Sequence, residues 1–121
     1  MVDITERIIE SAIEVHRALG PGLLESADEE GLCHDLTLSG LSFERQRPLP
    51  VECEGIRLEC GYRLDLLAEN AVVAEIKAIS AIEPIHEAQL LTCLRRGGWK
   101  VGRWINFNVP VLKNGICRRI L

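Results

Sequence analysis

The chain has 121 residues, of which 47% are hydrophobic and 26% are charged, with a formal net charge of −4. These values are typical of one globular domain with its own core, and no apolar run approaches the roughly 18 residues of a membrane helix. No signal-peptide pattern opens the sequence. We therefore expect a single cytoplasmic domain over residues 1–121 without a membrane partner.

The charge is spread unevenly along the sequence. Residues 1–60 carry 13 acidic and 5 basic residues, whereas residues 61–121 carry 5 acidic and 9 basic residues. The negative total argues against a nucleic-acid partner, but a local basic face is compatible with an acidic protein. Charge alone favours an ordinary solvated surface.

The five cysteines are odd in number and lack the close spacing of a zinc site. They lie at Cys33, Cys53, Cys60, Cys93 and Cys117. This pattern favours free thiols in a reducing cytoplasm over disulfides or metal ligands.

The apolar spacing predicts three helices. The first covers residues 3–19, with Asp3 and Glu6 as a capping box and Gly20 at its end. The second covers about 24–38, and its inward positions are predicted to be Leu24, Ala27, Leu32 and Leu36. The third covers residues 84–96, between a first-turn proline and a glycine pair.

Short apolar runs predict a mixed sheet. They lie at 42–47, 50–53, 56–60, 61–67, 71–77, 99–107 and 116–121. Strand 71–77, the third helix and strand 99–107 form a βαβ crossover, so these two strands should be parallel and the connection right-handed. The earlier strands should be antiparallel. The expected fold class is α/β (α+β), with helices packed on a mixed sheet.

The segment RLDLLAENAVVAEIKA, residues 63–78, places Asp65, Glu75 and Lys77 within apolar strands. Side chains alternate along a strand, so Glu75 and Lys77 share one face. Asp65 joins them only if the turn has an odd number of residues or contains a bulge. A three-residue loop at 68–70 meets that condition and sets Glu75 diagonally across from Asp65.

Two ionised carboxylates about 4 Å apart repel by about 4 kcal/mol at an effective dielectric constant near 20. They need a proton, a cationic side chain or a metal between them. Oxygen ligands suit Mg²⁺, and Lys77 is placed to orient or deprotonate a water for attack on a phosphodiester. The alternative is a cross-strand ion pair between Lys77 and one of the acids.

Two further segments carry polar residues that would add to such a site. Glu25 lies in the first turn of the second helix, where the helix dipole favours a carboxylate, and Asp28 follows one turn later. His86 and Gln89 share one face of the third helix. An ordinary helix-start acid and an exposed polar stripe are the alternatives.

Several segments resemble the small bacterial proteins of the GxxExxY family, placed in the PD-(D/E)XK nuclease superfamily. They are LGPGLLESADEE, QRPLPV, CGYRLDLL, EIKA, IHEAQLLTCLR and INFNVPVLKNGI. The resemblance implies a PD-(D/E)XK nuclease-like core of αβββαβ type and a phosphodiesterase dependent on Mg²⁺ (or Mn²⁺).

The resemblance also implies roles for individual residues. The metal ligands would be Asp65, Glu75, Ile76 (through its carbonyl group) and Glu25. Lys77 would be the catalytic lysine. Gln89 would be the glutamine of the Q-x-x-x-Y signature seen in some branches of the superfamily.

Two positions depart from the family pattern. Asp28 stands where the family has its tyrosine, and Cys93 stands where the tyrosine of Q-x-x-x-Y is expected. Each change removes an aromatic hydroxyl. Asp28 adds negative charge, which would either supply another metal ligand or repel a DNA backbone.

Two functions therefore follow from the sequence. The first is a metal-dependent nuclease that acts on DNA. A homodimer is considered for this function because one small domain covers few base pairs. The second is a non-catalytic module that binds nucleic acid or a protein partner. The candidate phosphate contacts are Arg63, Arg95, Arg96, Lys100 and Arg103, while Trp99 and Trp104 are interpreted as core or interface residues.

Overall fold

Two helices precede a five-stranded sheet, and a third helix connects two of its strands. The computed structural model describes residues 3–121, except for the side chains of residues 51, 53 and 58–61. The helices are α1 (Ile4–Leu19), α2 (Glu25–Leu38) and α3 (Pro84–Gly97). The strands are β1 (Phe43–Cys53), β2 (Ile56–Ala68), β3 (Val72–Lys77), β4 (Val101–Asn106) and β5 (Ile116–Ile120), and a short 3-10 helix (Leu112–Gly115) precedes β5.

The strands lie side by side in chain order, from β1 at one edge to β5 at the other. β3 and β4 are parallel, and every other neighbouring pair is antiparallel. The parallel pair is the one that α3 connects, because parallel neighbours need a long crossover. The predicted mixed sheet and the parallel crossover strands are confirmed.

The first two strands are longer than the sequence predicts. The apolar runs before and after residues 48–49 form one strand, β1, and those on either side of residue 60 form another, β2. Pro48 and Pro50 lie inside β1, where a missing backbone N–H is tolerated because β1 is an edge strand. The pairing register between β1 and β2 shifts beside Pro50, between Leu49 and Val51.

Each face of the sheet is covered by an apolar layer. On the α1 and α2 side the buried residues include Ile8, Ala12, Leu32, Leu36, Leu66, Ala74, Ile76 and Ile105. On the α3 side they include Leu64, Leu67, Val73, Leu90, Leu94, Trp99 and Trp104. β3 is therefore buried on both faces, which explains its nearly continuous apolar sequence.

Details of the predicted helices differ from the structure. Asp3 precedes α1 but forms no side-chain cap, and its carboxylate accepts a hydrogen bond from the Thr5 hydroxyl instead. The predicted Asp3–Glu6 capping box is therefore wrong. Leu24, predicted to face the core, is 76% exposed. A Cβ at Gly31 of α2 would approach Val15 of α1 to 3.0 Å, so a larger residue there would require the Val15 side chain to shift.

The two tryptophans and the three cysteines whose side chains are described agree with the sequence-based predictions of buried tryptophans and free thiols. Trp99 and Trp104 are buried in the α3-side layer. Cys33, Cys93 and Cys117 are free thiols, and the side chains of Cys53 and Cys60 lie outside the described residues. Among residues 3–121, no helix has the length and apolar character to cross a membrane.

Candidate metal-binding and catalytic site

The loop between β2 and β3 places two carboxylates opposite each other. It spans residues 69–71, which is the predicted length but one residue later than predicted. Its register pairs Leu66 with Ala74. Continuing that register by one residue sets Asp65 directly opposite Glu75, rather than diagonally across from it.

The β2–β3 ladder opens at this point. Its last pair is Leu66 with Ala74, and the N–H of Ile76 donates to Asp65 Oδ2 at 2.8 Å instead of bonding to the backbone of β2. The N–H and C=O of one strand residue point to the same side. The Ile76 carbonyl is therefore directed to the same opening as the Asp65 carboxylate.

The strands also bend at Asp65. Leu64 packs into the α3-side layer and Leu66 into the opposite layer, so strict alternation fails between them. Gln46, at the matching level of β1, has a left-handed backbone with φ 54°. Its Nε2 donates to Glu29 Oε1 at 2.8 Å and to Asp65 Oδ1 at 3.3 Å. Asp65 is thus held in orientation from β1 and β3.

Arg45 completes this support from the other side of Glu29. Its guanidinium donates to Glu29 Oε2 at 2.9 Å and to Glu30 Oε1 at 2.7 Å. Glu29 is only 7% exposed, so its charge depends on these partners. These contacts were not predicted from the sequence, because Glu29 lies 16 and 17 residues before Arg45 and Gln46 and no spacing rule links them.

Arg45→Ala should destabilise the protein by about 2–3 kcal/mol, because it leaves the buried Glu29 carboxylate without its cation. Urea denaturation monitored by circular dichroism measures this change. Arg17→Ala is the matched control, since the Arg17–Glu14 pair is exposed and should contribute less than about 1 kcal/mol. Equal losses for the two variants would contradict a supporting role for Arg45.

Glu75 is the most perturbed acid of the site. It is 3% exposed, and its Oε1 has no hydrogen-bond partner among the described residues. Burial raises the pKa of Glu75 to about 9, and the charge of Asp65 and a hydrogen bond with Asp65 add to the rise, while Lys77 opposes it. A proton or another cation is therefore required at this buried oxygen.

Lys77 and Glu25 lie around the same opening. Within the described part of the chain, Lys77 forms no ion pair, so the alternative of a bridge between Lys77 and the two acids is not formed. Partial desolvation raises the pKa of Glu25, the Asp65 charge raises it further, and the Lys77 charge lowers it. The start of α2 therefore brings Glu25 into the field of Asp65 and Lys77, as the sequence-based hypothesis requires.

These groups fit a hard divalent cation. No three His, Cys, Asp or Glu side chains in the described residues are clustered as a preformed metal site. Mg²⁺, however, is held by only one or two carboxylates together with water and substrate oxygens. Asp65, Glu75 and the Ile76 carbonyl offer hard oxygen donors, and one buried Glu75 oxygen lacks a partner.

Comparison with known proteins identifies the family. A family model described as the PD-(D/E)XK nuclease superfamily matches residues 2–120. The chain belongs to the PD-(D/E)XK nuclease superfamily. No curated protein and no solved structure matches it. Members of this superfamily usually use divalent metal ions, and the αβββαβ order of the sheet and helices agrees with its core. The narrower GxxExxY assignment stays a prediction.

Gln89, which the resemblance predicts to be the glutamine of the Q-x-x-x-Y signature, lies on α3 near a tyrosine that was not predicted from the sequence. Gln89 lines a pocket together with Tyr62 of β2 and Cys93. Burial raises the pKa of Tyr62, and the charge of Glu75 and a hydrogen bond with Cys93 add to this. Tyr62 thus brings an aromatic hydroxyl to Cys93, the residue at which the resemblance predicts the tyrosine of Q-x-x-x-Y.

Two other polar residues that the sequence analysis considered for the site are Asp28 and His86. Asp28 is 1% exposed, so it cannot contact a DNA backbone, and burial raises its pKa while the charge of His16 on α1 lowers it. His86 caps α3, because its Nδ1 accepts a hydrogen bond from the Glu83 N–H at 2.8 Å. Its carbonyl accepts one from Trp104 Nε1 at 3.2 Å.

Proposed function

We propose that the chain is a nuclease that hydrolyses DNA phosphodiester bonds with Mg²⁺ or Mn²⁺. Membership of the superfamily supports a nuclease-type function. The observation that carries the proposal is the pair of opposed acids, Asp65 and Glu75, at the end of an opened ladder, with Lys77 beside them. The residues proposed to hold the ion are Asp65, Glu75, Ile76 (carbonyl) and Glu25.

Different residues of the chain would have different roles in hydrolysis. Hydrogen bonds from Gln46 and from the Ile76 N–H hold both oxygens of Asp65, so the carboxylate is oriented before any ligand arrives. When bound, a divalent cation supplies Lewis-acid stabilisation of charge on phosphate oxygens. Lys77, which no carboxylate neutralises among the described residues, would hydrogen-bond to the attacking water or to a phosphate oxygen.

DNA would approach an acidic chain through local positive charge. The side chains of Arg63, Arg95, Arg96 and Lys100 are exposed, and they are the proposed phosphate contacts. Arg103 is partly buried, and its pKa is lowered by burial and by the charge of Arg118, its cross-strand neighbour. It is therefore a weaker candidate than the other four. The homodimer and the cytoplasmic location stay predictions from the sequence.

Asp65→Asn tests the proposal. We expect the unchanged protein to cleave plasmid or oligonucleotide DNA in Mg²⁺ or Mn²⁺ and not in EDTA. The variant should lose at least about 100-fold in cleavage rate, because removal of one oriented charged group in a site has this scale. Its affinity for Mn²⁺, measured by calorimetry without DNA, should fall in parallel.

Asp35→Asn is the matched control for this experiment. Asp35 lies on α2 outside the proposed site, so cleavage and Mn²⁺ affinity should stay unchanged. DNA binding without cleavage in any metal would contradict the nuclease proposal and favour the non-catalytic module. Cleavage that persists in Asp65→Asn would remove Asp65 from the mechanism.

A further inference from the structure

A pocket of about 300 Å³ lies between α3 and the sheet. Its α3 wall is a stripe at helical spacing, formed by Ile85, Ala88, Gln89, Thr92, Cys93 and Arg96. Its floor is Leu49 of β1 with Tyr62 of β2, which are cross-strand partners in the sheet. The pocket is thus built on regular elements rather than on loops.

The wall chemistry is apolar, with a few directional polar groups. Tyr62 presents the one aromatic ring of the lining, and Gln89 presents an amide that can both donate and accept hydrogen bonds. Arg96 is exposed and also borders a neighbouring hollow, which is lined by Leu49, Pro50, Glu52 and Arg57. A planar, partly polar group attached to an anion is complementary to this combination.

The pocket lies on the same side of the sheet as Glu75, because Tyr62 and Cys93 of its lining pack in one apolar layer with Val73, the neighbour of Glu75 on that face of β3. Tyr62 and Cys93 belong to the pocket wall, and the charge of Glu75 raises the pKa of both groups. Glu75 itself lies at the opening of the β2–β3 ladder, opposite Asp65. A group seated in the pocket would therefore lie on the same side of the sheet as Glu75.

We propose that this pocket holds one unpaired nucleobase of the DNA strand, adjacent to the phosphodiester bond that the site acts on. The proposal rests on the proposed nuclease function. The base would stack on Tyr62, its edge would hydrogen-bond to the Gln89 amide, and its phosphate would lie near Arg96. A substrate with an unpaired base, such as single-stranded DNA or a frayed end, is then favoured over a continuous duplex.

The test compares two probes of equal length and charge in EDTA buffer, which prevents metal-dependent cleavage. One is a single-stranded octamer of deoxythymidine, and the other is an octamer of abasic deoxyribose phosphates. Fluorescence anisotropy should show about tenfold tighter binding of the first probe, as one stacked base accounts for a difference of this size. Equal affinities, or no measurable binding of either probe, would overturn the proposal.

Substitutions that fill the pocket test whether the preference for the deoxythymidine probe arises there. Thr92→Leu and Ala88→Leu add aliphatic bulk without a new stacking surface, and each should remove most of the tenfold preference while leaving affinity for the abasic probe unchanged. Two positions are used so that a folding defect in one does not decide the outcome. Thr37→Leu, on the exposed surface of α2, is the control and should keep the preference. A preference that survives both pocket variants would contradict base binding in this pocket.

The two proposals fail in different ways. If the nuclease proposal is wrong and the pocket proposal is right, the base-dependent preference persists although no metal supports cleavage. If the pocket proposal alone is wrong, Thr92→Leu cleaves DNA at the unchanged rate and shows unchanged discrimination between the two probes. Mn²⁺ calorimetry, which should not respond to Thr92→Leu, separates damage to the proposed metal site from damage to the pocket.

Discussion

Lys77→Ala should lower the rate of Mg²⁺-dependent DNA cleavage by about 100-fold or more, while Mn²⁺ affinity changes little. Lys77 ends β3 two residues after Glu75, on the same face of the strand, and forms no ion pair with the described carboxylates. In the proposed mechanism its charge would therefore act on the water or on a phosphate oxygen. Single-turnover cleavage at saturating metal measures the loss.

Lys77→Arg distinguishes two roles of the ammonium group. Arginine keeps the positive charge but is larger, stays protonated and presents a planar group. If Lys77 orients or deprotonates water, the arginine variant should remain nearly as impaired as the alanine variant. If Lys77 supplies charge alone, arginine should restore most of the rate. Lys113→Ala, at an exposed position of the 3-10 helix before β5, is the control and should cleave normally. Unchanged cleavage in Lys77→Ala would exclude the residue from catalysis.

Periodicity and turn chemistry were sufficient to predict the framework of the site. Alternation along β3 correctly separates Glu75, on the α3 side, from Ala74 and Ile76, which pack with α1 and α2. The requirement for an odd loop length was also correct. These inferences depend on local geometry, and local geometry is what a short stretch of sequence encodes most directly.

The exact register was not predictable from the same signals. Glu69 and Asn70 both take left-handed φ values of 52°, which shifts the loop one residue beyond the expected position. Asn tolerates a left-handed backbone, but Glu rarely adopts one. Glu69 in the sequence therefore did not indicate that the loop lies one residue later. The shift sets Asp65 opposite Glu75 and so strengthens their electrostatic coupling.

The supporting residues were missed for a different reason. Arg45, Gln46 and Glu29 meet across β1 and α2, and Tyr62 reaches Cys93 across β2 and α3. Such contacts depend on how packed elements align in three dimensions, and no spacing rule within one segment reports them. The burial of Asp28 is similar, because a polar residue facing α1 cannot be distinguished in the sequence from one facing solvent.

The stability of the metal-free protein should fall as pH rises from about 4.5 to about 9, because of Glu75. Burial raises the pKa of Glu75 from its ordinary 4.5 to about 9, so between these values the folded protein binds a proton that the unfolded chain has lost. The stabilisation is fully present below pH 4.5 and is lost as pH rises through 9. Each unit of pKa difference corresponds to about 1.4 kcal/mol, so the total loss should exceed about 2 kcal/mol.

Glu75→Gln isolates this contribution from those of Glu25 and Asp28, whose pKa values are also raised. The amide stays neutral at every pH and can still donate a hydrogen bond to Asp65. At pH 8 the metal-free variant should therefore be more stable than the unchanged protein, with a melting temperature higher by roughly 8 °C. At pH 4.5 the two proteins should have nearly equal stability. Glu10→Gln, at an exposed position of α1, should show no such pH dependence.

Addition of Mn²⁺ should reverse the order of stability of the unchanged protein and Glu75→Gln. Mn²⁺ would take the place of the proton at the buried Glu75 oxygen, so it should stabilise the unchanged protein most above pH 7 and have little effect on Glu75→Gln. The same substitution that stabilises the metal-free fold should thus abolish cleavage. A difference in unfolding free energy between the two proteins that is independent of pH would show that Glu75 is ionised in the metal-free fold. In that case the repulsion between Glu75 and Asp65 would have to be balanced by Lys77 rather than by a proton or a metal.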